Sequence, residues 1–353
     1  MGRRAPGGGS AWVMASRRSP GDSAAIPDHF DGRRFRNPTL RHPFAPGFRD
    51  VLRMLRERRA AWPAAVANVG VPRLHEPRGP DDIGLTFVGH ATFVIQLPRL
   101  TILTDPMWSE RASPVRWWGP KRVRPPGVPL ADLPDIDVIV LSHNHYDHLD
   151  IATLQALQRR FSPTVLVPRG VRPLVASIGF DDVRELDWWD AAQVGSDVHV
   201  TFTPAQHASG RSPFDRNRSL WGGYYIRQHG RSVYFGGDGG YSTHFADIGR
   251  RLGAPDIAML GIGSYEPRWF MQPVHMNPAE AVAAHKDLGA DVSIGMHFGT
   301  FQLSAEALDQ PRWDLAEAIA NEGGPSDDFV VLHEGETRIF PSRRSDGAAP
   351  GVR

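Results

Sequence analysis

The chain has no cysteine among its 353 residues. Disulfides and thiolate ligands are therefore excluded, and any metal must be held by imidazole and carboxylate, while the redox compartment stays open. Lysine is nearly absent too: Lys121 and Lys286 are the whole supply, and every other basic residue is arginine. Together with abundant alanine, glycine and proline, that bias points to a GC-rich, bacterial coding sequence rather than to phosphate recognition. The formal net charge is only +1, which leaves no electrostatic footprint for nucleic acid, and no such partner is expected. No run approaches the roughly 18 apolar residues of a membrane span. Residues 1–26 mix Arg, Gly, Ser, Ala and Pro without periodicity or the apolar core of a secretory signal, so they read as a disordered tail, with Met14 an alternative start. The location expected from these absences is cytoplasmic.

What remains is a chain with 41% apolar residues, enough to bury a sizeable core in one large domain over 27–341, with 342–353 a frayed tail. Its most informative segment is Ser142-His143-Asn144-His145-Tyr146-Asp147-His148, directly after the apolar run Asp137-Val138-Ile139-Val140-Leu141. The run reads as a buried strand. On its extended continuation His143 and His145 point the same way, while Asp147 and His148 follow after the chain turns and face a second spot. This ligand set suits borderline divalent metals such as zinc, and the spacing suggests two of them side by side. Three more candidates stand where strand-like runs end: His207 after Val198 to Pro204, Asp238 within Gly236-Gly237-Asp238-Gly239-Gly240, and His297 after Val292 to Met296.

The pattern His-x-His-x-Asp-His, a later His, an Asp in Gly-Asp-x-Gly and a final His resembles the metallo-β-lactamase superfamily of metal-dependent hydrolases. Further segments resemble its N-acylphosphatidylethanolamine-hydrolysing phospholipase D branch: Val88-Gly89-His90-Ala91-Thr92, Leu103-Thr104-Asp105-Pro106, Thr203-Pro204-Ala205-Gln206-His207, Tyr265 to Met271, His275 to Ala281 and Met296 to Phe301. The resemblance implies an α/β fold, a four-layer αβ/βα sandwich of two mixed β-sheets flanked by helices with metals along one edge. It implies two zinc ions per chain, one held by His143, His145 and His207, the other by Asp147, His148 and His297, with Asp238 bridging. It also implies a phosphodiesterase that releases N-acylethanolamine and leaves phosphatidic acid, acting on phospholipid with peripheral contact at the inner membrane face, and a homodimer as in animal relatives. The alternative is a metallo-hydrolase of a small soluble ester, lactone or phosphodiester, since one such site hosts many chemistries.

Around that core the residues allow two readings each. Asp105, after Leu100 to Leu103, either accepts the free ring N–H of a ligand histidine or caps a turn. His275 either faces the substrate or merely precedes the helix that Asn277-Pro278-Ala279-Glu280 begins. Tyr146 reads as packing, and His90 as a structural histidine rather than a ligand. Trp108, Trp117-Trp118 and Trp269-Phe270-Met271 suit a membrane interface or ordinary packing. Two segments depart from the animal relatives: Val115-Arg116-Trp117-Trp118, and Ala208-Ser209-Gly210-Arg211 after the third histidine. Helices are expected after Asp150, with Ile151, Leu154, Leu157 and Phe161 as the apolar stripe, from about Pro278 to Leu288, and as a basic helix over 44–59.

Overall fold

A computed structural model describes residues 28–69, 74, 79, 81–323 and 327–341. The expected tails, and both candidate starts, lie outside the described residues. In chain order the strands are β1 (Ile83–Gly89), β2 (Thr92–Leu97), β3 (Leu100–Thr104), β4 (Val138–Val140), β5 (Thr164–Pro168), β6 (Val183–Leu186), β7 (Ala191–Val194), β8 (Val198–Thr203), β9 (Gly223–Gln228), β10 (Arg231–Phe235), β11 (Ile257–Gly261), β12 (Val292–Met296), β13 (Phe329–Val330) and β14 (Thr337–Phe340). The helices are α1 (Phe48–Arg56), α2 (Ile151–Arg160), α3 (Arg172–Ala176), α4 (His244–Leu252), α5 (Arg268–Met271), α6 (Pro278–Leu288) and α7 (Gln310–Asn321).

The strands form two seven-stranded sheets, β14-β1-β2-β3-β4-β5-β6 and β13-β12-β11-β10-β9-β8-β7. Both are mixed. In the first, β1, β2 and β3 alternate in direction and β3 to β6 run parallel, so β1, β3 and β4 point the same way. In the second, β7 to β10 alternate and β10 to β13 run parallel, so β8, β10 and β12 share one direction. The exits of β1, β3 and β4 therefore open on one edge of the first sheet, and those of β8, β10 and β12 on one edge of the second, together with the strands parallel to them.

Side-chain alternation along the strands separates the layers. Val138 and Val140 of β4, with Phe93 and Ile95 of β2, join a core that also holds Val200, Phe202, Tyr224 and Phe235 of the second sheet. Ile139 and Val94 point the other way, into a second core with Leu154 and Leu157 of α2 and Val175 of α3. On the far side of the second sheet α4, α6 and α7 pack together. This is the four-layer sandwich expected from the sequence.

The helices follow their local signals. Asp150 caps α2 by accepting from the Ala152 N–H. Asn277 and Glu280 cap α6 reciprocally around Pro278 at its first position, and Gly289, at φ 67°, closes it. The basic helix is shorter than the 44–59 expected: Pro46 disfavours helix for the residue before it, and Glu57 is already extended, so α1 keeps only Phe48–Arg56.

Candidate metal centre

Every residue read as a ligand follows one of the same-direction strands. His143, His145, Asp147 and His148 follow β4, His207 follows β8, Asp238 follows β10 and His297 follows β12. Hydrogen bonds tie the two edges together: Gly222 N–H to Ser142 O at 3.1 Å, His297 N–H to His90 O at 2.8 Å, and the buried Tyr224 hydroxyl to Leu141 O at 2.8 Å. Three exits hold a side-chain-bearing residue in the left-handed region, His90 at φ 58°, Asp105 at 33° and His297 at 61°. Such backbone costs on the order of 1–3 kcal/mol per residue and persists where surrounding contacts fix it, which is typical of functional sites. Gly237, at φ 59°, has no such penalty, and a β-carbon there would lie 2.7 Å from Gly222 O and from Ser142 Cβ.

The donors fall into two groups. His143 Nε2 stands 2.8 Å from His145 Nδ1, which is 3.3 Å from His207 Nε2. In the second group His148 Nε2 and His297 Nε2 are each 3.3 Å from Asp147 Oδ2 and 3.1 Å from Asp238 Oδ2. Asp238 Oδ2 also lies 3.8 Å from His207 Nε2, so one carboxylate faces both groups. Donors around a tetrahedral zinc bound at 2.0–2.1 Å sit about 3.3 Å apart. The separations thus fit two divalent ions. Two orphaned atoms agree: His148 Nε2 and Asp238 Oδ1 are buried with no hydrogen-bond partner among the described residues.

The far nitrogens of three rings, His143, His148 and His207, are fixed in the way metal-binding histidines require, while His297 Nδ1 is buried with no hydrogen-bond partner among the described residues. Val274 O accepts from His207 Nδ1–H at 2.9 Å, which leaves Nε2 bare. Asp105 Oδ2 faces His148 Nδ1 at 2.7 Å and accepts the Ser142 hydroxyl at 2.5 Å. With its proton on Asp105, the Ser142 oxygen is free to accept from His143 Nδ1–H, 2.9 Å away. Of the two readings of Asp105, the geometry is that of a histidine-orienting carboxylate.

Charge divides the site into halves. Burial drives His143 and His207 well below the usual imidazole range, so both stay neutral. Burial also opposes charge on His148 and His297, but the Asp238 and Asp147 carboxylates override it, holding His148 well above its ordinary value and His297 at about 9. Against the same burial, the charge on His148 keeps Asp147 and Asp238 well below the carboxylate range. The Asp147 and Asp238 carboxylates thus make the second group the half that favours positive charge.

His275 lies at the rim, its Nδ1 3.9 Å from Asp238 Oδ2 and its ring 5.1 Å from that of His207. Burial lowers it to about 4, against the pull of Asp238. It stands beside Asp238 and also precedes α6. Tyr146 packs: its hydroxyl donates to Arg211 O at 2.8 Å and the Arg211 guanidinium lies 3.9 Å from its ring centroid. The tryptophans separate into two kinds. Trp108 donates to Val128 O, and Trp269 donates to Glu57 under the Arg53 guanidinium, both ordinary packing. Trp117 and Trp118 stand 79% and 69% exposed.

Two further residues touch the donors: Asn37, which the sequence did not single out, and His90, which it marks as structural. Asn37 grips the His207 backbone from both sides, Nδ2 donating to His207 O at 2.8 Å and Oδ1 accepting from its N–H at 3.1 Å. Nothing in the sequence around Asn37 signals this, 170 residues away. His90, read as structural, leaves β1 and places Nε2 2.9 Å from Asp147 Oδ2. Its signal was available: a histidine after an apolar run and a glycine, the same strand-exit pattern that flagged His297.

A family model described as the beta-lactamase superfamily domain matches residues 100–298. The chain is 38% identical over 284 residues to N-acyl-phosphatidylethanolamine-hydrolyzing phospholipase D 1 of Caenorhabditis elegans, across 77% of this chain and 79% of that one. It is 38% identical over 261 residues to the mitochondrial N-acyl-phosphatidylethanolamine-hydrolyzing phospholipase D of Saccharomyces cerevisiae, across 72% of this chain and 55% of that one. Among solved structures, the fold is similar to Igni18, a metallo hydrolase from Ignicoccus hospitalis, with TM-score 0.57 and 24% identity over 74% of this chain and 100% of that one. With a family match that spans the donors of both sheets, and that degree of identity over most of its length, the chain belongs to the metallo-β-lactamase superfamily and is a metal-dependent hydrolase.

Proposed function

We propose that this hydrolase is a two-zinc phosphodiesterase of the phospholipase D type, with 27–341 as its single catalytic domain, cleaving N-acylphosphatidylethanolamine-like lipids to N-acylethanolamine and phosphatidic acid. The observation that carries the reading is the convergence of seven donors into two groups that share Asp238. Two divalent ions would supply Lewis acidity toward phosphoryl oxygens and lower the pKa of a bound water toward about 7. His143, His145 and His207 would hold one ion and Asp147, His148 and His297 the other, with Asp238 facing both groups. Asp105 keeps the His148 ring turned with Nε2 inward. His275, neutral and beside Asp238, stands where it can bond a phosphoryl or leaving oxygen. The names of the worm and yeast relatives support the choice of substrate.

Contact with a lipid surface fits a set of exposed rings beside a cavity lined by Tyr146 but by none of the seven donors. Trp117, Trp118 and Phe214 are exposed at the ends of two loops that border one cavity of about 610 Å³, whose lining includes Arg116, Tyr146 and Arg211. Rings at headgroup depth beside a cation are the usual interfacial arrangement. Among the described residues no helix is long and apolar enough to cross a membrane.

The test is metal content and turnover on the same preparation. Two zinc equivalents per chain, with acylethanolamine released from mixed micelles, is the expected result. Two equivalents with turnover only of a soluble phosphodiester would keep the metal chemistry and overturn the lipid substrate. Full activity after His145→Ala or Asp238→Asn would overturn the ligand assignment.

A further inference from the structure

His90 is a buried histidine outside the seven donors, and it touches the second group from two directions. Its Nε2 lies 2.9 Å from Asp147 Oδ2, the oxygen that also faces His148 and His297 at 3.3 Å. Its carbonyl oxygen accepts from the His297 N–H at 2.8 Å. The ring sits 4.2 Å from the His297 ring and meets Phe301 edge-on at 5.3 Å, and the Arg122 guanidinium lies 4.9 Å from the Phe301 centroid. On the other ring atom, Nδ1 is buried with no partner among the described residues. A single tautomer suits this: hydrogen on Nε2, donated to the carboxylate, and a bare Nδ1 whose lone pair goes unmet. His148 and His297 must do the opposite and present bare Nε2 atoms to an ion.

We infer that His90 is a positioning residue for the second metal subsite, fixing Asp147 through its Nε2–H and His297 through its backbone carbonyl. The inference rests on the two-metal reading above. Asp147 comes from the first sheet and His297 from the second, so neither element alone sets their separation. His90 leaves β1 with φ 58°, and that turn lets one residue reach both. Partners of this kind that orient ligands are worth about 10–100-fold in metal affinity. The subsite of His143, His145 and His207 has no contact with His90 in the hydrogen bonds of its rings, so the effect falls on one equivalent only.

The experiment is zinc titration of the metal-free full chain, with wild type, His90→Phe, His90→Gln and His148→Ala compared. His90→Phe keeps an aromatic ring against Phe301 and removes the N–H; His90→Gln restores an N–H donor. The expected result is two equivalents in wild type and one of them, the same one that His148→Ala removes, weakened 10–100-fold in His90→Phe and regained in part in His90→Gln. Unchanged affinity for both equivalents in a folded His90→Phe, judged by near-UV circular dichroism, would overturn the inference. Equal weakening of both equivalents would do so as well. Complete loss of the second equivalent in both His90 variants, with an altered cobalt(II) absorption spectrum, would overturn it in favour of direct ligation. A wild-type chain that binds a single equivalent would instead overturn the two-metal reading, and the wild-type titration alone reports that.

Discussion

The two sheets contribute to the metal centre by different means. The first places four donors, His143, His145, Asp147 and His148, on one short loop after β4. The second spreads three donors, His207, Asp238 and His297, over the exits of β8, β10 and β12. A contiguous set is held together by the covalent chain and survives local disturbance. A dispersed set exists only while three strands keep their register, and its members need outside help: Val274 O and Asn37 for His207, and the glycines around Asp238. The dispersed half is also where a single residue, Asp238, faces both donor groups. Local sequence therefore supplies ligands, and tertiary structure supplies the geometry that makes them a pair.

The largest blow to this division comes from the dispersed side. Asp238→Asn removes the carboxylate common to both groups and should cost several kcal/mol of transition-state stabilisation, about 10³-fold in kcat/KM at 1.36 kcal/mol per decade. Loss confined to one zinc equivalent with activity intact would show that the halves are independent. Asp105→Asn probes the contiguous side, because it weakens the hold on the His148 ring. Metal affinity should fall by about 10–100-fold, measured by competition with a chelating dye, and Ser142, which bonds the same carboxylate, should not compensate. Gly237→Ala tests whether the dispersed half depends on its backbone. With φ at 59° and a β-carbon 2.7 Å from Gly222 O, it should lower stability by about 1–3 kcal/mol, seen as an earlier denaturant midpoint.

The smallest effect comes from a buried histidine away from the metal edge. His244 opens α4, bonds Ser242 Oγ at 2.6 Å, and is lowered by burial to about 3. Its folded value lies below the usual 6.5. The unfolded chain therefore binds the extra proton first, and stability present above pH 6.5 is lost as pH falls toward 3. The slope is at most about 1.4 kcal/mol per pH unit. Against wild type, His244→Gln should flatten that acid limb in urea titrations between pH 6.5 and 4. An unchanged limb would show that the ring is protonated in the folded chain.

The same contrast explains what could be read from the sequence. The runs before His143, Asp238 and His297 alternate or stay apolar over strand length, and each became a strand at nearly the expected bounds. Sheet order was out of reach, since the pairing of β1 with β14 joins residues such as Ile83 and Phe340 across almost the whole domain. His90 reads as a structural histidine rather than a ligand, but its particular partner Asp147, 57 residues away, has no local spacing to announce it. Trp269 was grouped with Trp117 and Trp118 because all are aromatic beside arginine. Only the fold shows that Glu57 and Arg53 engage Trp269, which stays 40% exposed, while the other two stand further out in solvent.

The grip of Asn37 on His207 has a practical meaning for anyone trimming this protein. The segment matched by the family model, 100–298, contains all seven donors, yet it omits Asn37 and His90. A fragment cut to that segment would have every one of the seven donors but lose the clamp on His207 and the first-sheet neighbour of Asp147 and His297. A chain that begins after residue 37 would lose both hydrogen bonds between that asparagine and the His207 backbone, 170 residues downstream, and should hold this donor less firmly than the full chain.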